Sequence, residues 1–170
     1  GAEPNEDVRR VGAVHEALSE GERIIADANG GWCLQDAVIA ANGLESLPQV
    51  ILEEPCRTLD ECLHVRCITQ MPMVLDEVIT DVPALLRAHR EGGMEAFNLK
   101  LSKFGGLSGS KLVRDLAMEL GLRVTIEDTW GGDLVTAAVS HLAASTAANH
   151  VLSVTFMNDW VNEHIAGYEP

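Results

Sequence analysis

Short apolar runs alternate along the chain with longer segments in which apolar residues recur every three or four positions. The short runs are residues 23–28, 49–52, 73–75, 97–101, 123–126 and 151–156. They are rich in Val, Ile, Leu, Met and Phe, and turn formers or charges bound them, as expected of strands buried on both faces. The longer segments are residues 5–19, 34–42, 59–67, 82–90, 107–120 and 134–148. In the first of them Val8, Val11, Val14, Ala17 and Leu18 mark one helical face, and Asn5, Glu6 and Asp7 suit its start. Pro83 falls where a helix accepts proline in its first turn. Asn29-Gly30-Gly31-Trp32 turns the chain, and Gly105-Gly106 ends one strand and opens the next helix. A polar tail covers residues 158–170.

A helix followed by six strands with helices between them predicts an α/β fold with parallel strands and helical crossovers. An open doubly wound sheet and an incomplete eight-stranded (β/α) barrel both fit that count. The residues that close the strands favour the barrel. Asp27, Glu53, Asp76, Lys100 and Glu127 end five successive strands, at separations of 26, 23, 24 and 27 residues. A barrel gathers its reactive groups at those ends, whereas an open sheet concentrates them at one switch point. Gly105-Gly106-Leu107-Ser108-Gly109 is rich in glycine but lacks the spacing of a dinucleotide loop.

Composition narrows the function classes. The chain has 170 residues, 46% of them hydrophobic, which is enough for one domain with a real core. The net charge of −14 argues against nucleic acid or an anionic membrane as partner. Cys33, Cys56, Cys62 and Cys67 contain no Cys-x-x-Cys pair, so they are expected as reduced, mostly buried thiols of a cytoplasmic protein and not as a zinc site. No apolar run is long enough to span a bilayer, and no signal peptide is visible.

Three acids from three consecutive strands of a parallel barrel would meet at one point. Carboxylates so placed repel, and they stay ionised together only around a cation. Oxygen-only donors with room for water and substrate suit magnesium. Any one of the acids alone would read as a helix cap or a solvated strand end. Lys100 lies inside an apolar run, where a cation is costly to bury. Burial and a neighbouring cation would bring such an amine toward neutrality, as a general base requires. The histidines His15, His64, His89, His141, His150 and His164 show no Asp–His dyad and are read as structural or solvated.

The ordered set Asp27-Ala28-Asn29-Gly30-Gly31-Trp32, Leu52-Glu53-Glu54-Pro55, Leu75-Asp76-Glu77 and Asn98-Leu99-Lys100-Leu101-Ser102-Lys103-Phe104-Gly105-Gly106 resembles the barrel of the enolase superfamily. It is most similar to the muconate-lactonizing and mandelate-racemase-like branch that uses lysine bases. The resemblance implies Mg2+ held by Asp27, Glu53 and Asp76, with Asn29 and Glu77 orienting them. Lys100 is implied as the acid/base lysine, with Lys103 as the second choice. The implied reaction is removal of the proton alpha to a carboxylate, with an enediolate intermediate, as is general for this superfamily.

The chain starts abruptly at Gly1-Ala2-Glu3-Pro4 and lacks the family's Lys-x-Lys motif. Residues 1–170 are therefore expected to be the C-terminal part of the catalytic barrel, about strands three to eight, without a capping domain. The missing N-terminal part or a complementing chain would be a partner, and a homo-oligomer is expected. Glu127, Asp128 and Trp130 are expected to face substrate, where acids and an aromatic ring suit an ammonium group. That end of the chain is similar to cis-3-hydroxy-L-proline dehydratases and proline-betaine epimerases. The alternatives are a dipeptide epimerase, an N-acylamino-acid racemase, or a barrel fragment active only with a partner polypeptide.

Overall fold

The structure is a computed structural model that describes residues 1–157 and 160–163. Asn158, Asp159 and residues 164–170, including His164 and most of the expected polar tail, lie outside the described residues. The chain divides into two compact units, Gly1–Glu95 and Ala96–Pro170.

The first unit opens with α1 (Pro4–His15), whose preceding Glu3 accepts hydrogen bonds from the N–H groups of Asn5 and Glu6. Three strand–helix pairs follow: β1 (Ile24–Asp27) with α2 (Leu34–Leu44), β2 (Val50–Glu53) with α3 (Leu59–Arg66), and β3 (Met73–Leu75) with α4 (Val82–Arg90). β1 pairs parallel with β2, and β2 with β3. Every residue of β2 and β3 is buried, so continuous apolar runs, not alternation, mark these strands. Leu44, Val50, Leu52, Val65, Met73, Leu75, Ile79 and Leu85 are its most deeply buried large apolar side chains. Thr58 and Asp81 cap α3 and α4 by accepting from the N–H groups of Glu61 and Ala84.

The second unit contains β4 (Ala96–Lys100), α5 (Leu107–Glu119), β5 (Arg123–Glu127), α6 (Asp133–Ala144), a 3-10 turn at Ala148–His150, and β6 (Val151–Val154). β4 pairs parallel with β5, and β5 with β6, with an irregularity between Val124 and Thr125. Phe97, Leu99, Val124 and Ile126 are buried, with Val113, Ala117, Val139 and Leu142 from the helices. Gly105 and Gly106 have φ of 78° and 84°, a region costly for other residues, and Gly106 starts α5.

Two helices end a full turn earlier than their patterns predict. The helix expected over residues 5–19 stops at His15. Ala17 and Leu18 instead donate to Val14 and His15 in tight turns, leading into Gly21 at φ 86°. The helix expected over residues 134–148 stops at Ala144, because the hydroxyls of Ser145 and Thr146 both bond back to the Leu142 carbonyl, at 2.9 and 2.7 Å. The free thiols divide evenly, with Cys56 and Cys62 buried and Cys33 and Cys67 exposed, where mostly buried thiols were expected.

Candidate active site

In the first unit, strand register brings the acids into line. Asp27 pairs with Glu53, and Glu53 with Val74, so Asp76 stands just past the end of β3. Glu53 and Asp76 are 7% and 5% exposed, while Asp27 is exposed as a residue. Asn29, held at φ 49°, folds back on Asp27: its N–H donates to Oδ1 at 2.8 Å and its Nδ2 to Oδ2 at 2.6 Å. Partial desolvation pushes the Asp27 carboxyl above the usual carboxylate range. The Asn29 N–H pulls it down, and the charges of Glu77 and Asp76 push it further up. Glu77 is exposed.

Among the described residues no three His, Cys, Asp or Glu side chains are gathered closely enough to enclose an ion. Of the three expected ligands, Asp27 and Glu53 are paired in register, and the Asp76 charge pushes the Asp27 carboxyl up. The donor chemistry suits Mg2+: the groups are all carboxylates, and two of the three side chains are buried.

Glu54, the neighbour of Glu53, carries no role in the sequence pattern. It is 1% exposed, and its Oε2 and Oε1 accept the N–H groups of Asp76 and Val78 at 2.8 and 2.9 Å. Burial pushes its carboxyl up to about 7, against those two hydrogen bonds, and Glu77 and Asp76 add to the rise. The Glu-Glu-Pro context was the available signal: a charged residue between a buried strand and a proline must find partners or stay in water.

In the second unit, Lys100 pairs in register with Glu127, and its Nζ lies 3.8 Å from Glu127 Oε1. Both side chains are nearly buried, and the carboxylate offsets the cost of burying the ammonium. Lys103 is half-buried, and its N–H donates to the Lys100 carbonyl. Asp128 is 9% exposed and turned into the protein: Ser102 donates to it through N–H and hydroxyl, and Thr129 through its N–H at 2.8 Å. Trp130 is 64% exposed and meets Trp160 edge-on, with ring centroids 5.9 Å apart. By contrast Trp32 is buried and donates to Asp7. Of the histidines, His150 bonds the Leu122 carbonyl at 2.9 Å, a structural contact.

No helix among the described residues is long and apolar enough to cross a membrane. The family described as Enolase C-terminal domain-like matches residues 1–170. Over all 170 residues the chain is 42% identical to a cis-3-hydroxy-L-proline dehydratase of Roseibium aggregatum, covering 46% of that protein. It is 32% identical over 139 residues to an o-succinylbenzoate synthase of Thermobifida fusca, 82% of this chain and 43% of the relative. A mandelate racemase/muconate lactonizing enzyme structure from Roseovarius nubinhibens superposes with a TM-score of 0.92 at 36% identity, over 96% of this chain and 45% of its own. An enolase-superfamily structure from the same organism, complexed with magnesium, superposes at 0.90 with 31% identity, over 96% and 44%. The chain thus spans a little under half the length of these two curated relatives. The match decides between the two α/β architectures that the strand count allows, in favour of the incomplete (β/α) barrel. This chain belongs to the enolase C-terminal domain-like family.

Proposed function

We propose that residues 1–170 are the C-terminal part of the catalytic barrel of a magnesium-dependent enzyme that removes the proton alpha to a carboxylate. The favoured reaction is dehydration of cis-3-hydroxy-L-proline, with epimerisation of a related proline derivative as its nearest variant. The observation that carries this reading is 42% identity to a cis-3-hydroxy-L-proline dehydratase over every residue of the chain. The match to an o-succinylbenzoate synthase is lower and covers less of the chain, so it supports the superfamily more than the substrate.

In this reading Asp27, Glu53 and Asp76 hold Mg2+. When bound, the ion would draw charge from a substrate carboxylate as the alpha proton leaves. Asn29 fixes the two oxygens of Asp27, and Glu77 adds to the negative potential at that strand end. As the neutral amine, Lys100 Nζ takes the alpha proton, and Glu127, 3.8 Å away, steadies the ammonium that results. Glu127 and Trp130 stand on the substrate side, where a carboxylate and an aromatic face suit an ammonium. Asp128 contributes through the loop it holds with Ser102 and Thr129.

The test uses the full-length protein with Mg2+ in deuterium oxide, following the alpha proton of proline derivatives, hydroxyprolines and dipeptides by NMR. Exchange and water loss with cis-3-hydroxy-L-proline are expected. Lys100→Met is expected to slow exchange by about 10²–10⁴-fold while leaving Mg2+ binding in place. Exchange retained in that variant would move the role to Lys103 or reject the mechanism.

A further inference from the structure

We infer that Glu54 is a positioning residue: its carboxylate fixes the loop that carries Asp76, and so sets how well the acids of the first unit hold a divalent cation. The inference rests on the magnesium reading above and adds a residue to it. Glu54 gives both carboxylate oxygens to backbone N–H groups of one loop, those of Asp76 and Val78, at 2.8 and 2.9 Å. Its own backbone joins the same strand ends. The Glu54 N–H donates to the Val74 carbonyl at 3.0 Å, and its carbonyl accepts the Gly30 N–H at 2.7 Å, in the turn just after Asp27. One residue therefore touches the segments that carry two of the acids, and it is joined covalently to the third, Glu53.

The local conformation fits this duty. Glu54 sits at φ 37°, in the left-handed region that residues other than glycine rarely adopt, and it is 1% exposed. A strained, buried acid is retained only where its surroundings fix it. The hydrogen bonds also specify a carboxylate. Two inward-pointing N–H donors need two acceptors, which Glu offers and Gln does not. In Gln the amide NH2 would face one of those N–H groups, so either the side chain or the Asp76 loop must turn.

The experiment compares full-length wild-type protein, Glu54→Gln and Asp76→Asn, using Mg2+ alone as the probe. Isothermal titration calorimetry reads the dissociation constant, and melting in metal-free buffer reads stability. Wild-type protein is expected to bind, Asp76→Asn to lose most binding, and Glu54→Gln to bind about 10–100-fold more weakly, the scale typical of groups that orient metal ligands. An unchanged dissociation constant in Glu54→Gln, with or without a lower melting temperature, overturns the inference and leaves the magnesium reading intact. No binding by wild-type protein overturns that reading itself, and the inference with it. If Glu54→Gln does not fold, Glu54→Asp supplies the same comparison. Its stem is one methylene too short to reach the Asp76 and Val78 N–H groups from the same backbone position, so full affinity in it overturns the positioning role.

Discussion

Asp128 shows how far a residue can be read before its neighbours are known. By sequence it is an acid just past a strand end, a natural partner for a substrate ammonium. In the fold its oxygens take hydrogen bonds from Ser102 and Thr129, and the residue is 9% exposed. A carboxylate that accepts three hydrogen bonds stabilises more than a fully solvated acid, because bonds to a charged group are the stronger ones and its loss removes all three. Asp128→Ala is therefore expected to lower unfolding free energy by about 1–3 kcal/mol, read by urea denaturation. Unchanged stability with a raised KM would return Asp128 to direct substrate contact. Asp27, Glu53, Asp76 and Lys100 were easier to single out. Each is an ionisable residue closing an apolar run, and that pattern depends on chain order alone. Glu54 was harder, since its partners are backbone N–H groups on another strand end, and backbone donors leave no mark in the sequence.

At the scale of elements, the strands and most helices were legible, because their signal is local. The residues predicted for β3 and α4 coincide with those observed, at Met73–Leu75 and Val82–Arg90. Some helix ends leave no such local signal. Nothing apolar distinguishes Ala144 from the alanines beyond it, and α6 stops where Ser145 and Thr146 claim the Leu142 carbonyl. A residue of another helix secures that stop. Arg114 on α5 is 3% exposed and donates to Thr146 Oγ1 at 2.7 Å and Ser145 Oγ at 3.1 Å. It also bonds its neighbour Asp115 at 2.7 Å. The periodicity of α5 places Arg114 next to Val113 without hinting that a cation is buried there. Arg114→Met keeps much of the packing volume and removes the hydrogen bonds. It is expected to cost about 1.5–3 kcal/mol, the range for bonds to a charged group, measured by thermal or urea unfolding. A loss within experimental error would mean that the α6 terminus holds without it.

For the whole molecule, the chemistry divides along the chain. All three proposed magnesium ligands, and Glu54 with them, belong to Gly1–Glu95, while Lys100, Glu127 and Trp130 belong to Ala96–Pro170. An ion held by the first set acts on backbone that Glu54 and Asn29 already link: Asp27 to Gly30, Glu53 to Glu54, and Asp76 to Val78. A ligand that binds only the folded state stabilises it by about 2.7 kcal/mol at a concentration 100 times its dissociation constant, and local opening is suppressed where the ligand bonds. Hydrogen–deuterium exchange of the full-length protein with and without Mg2+ therefore has a stated map. Protection should rise at those three strand ends, and the peptides around Arg114 and Leu142 should be unchanged. Lys100→Met should leave that map in place, since the amine removes a proton and does not bind the ion. Asp76→Asn should erase it. Protection appearing instead in peptides remote from β1, β2 and β3 would mean that the ion sits elsewhere, and the assignment of Asp27, Glu53 and Asp76 would fall even if the enzyme required magnesium.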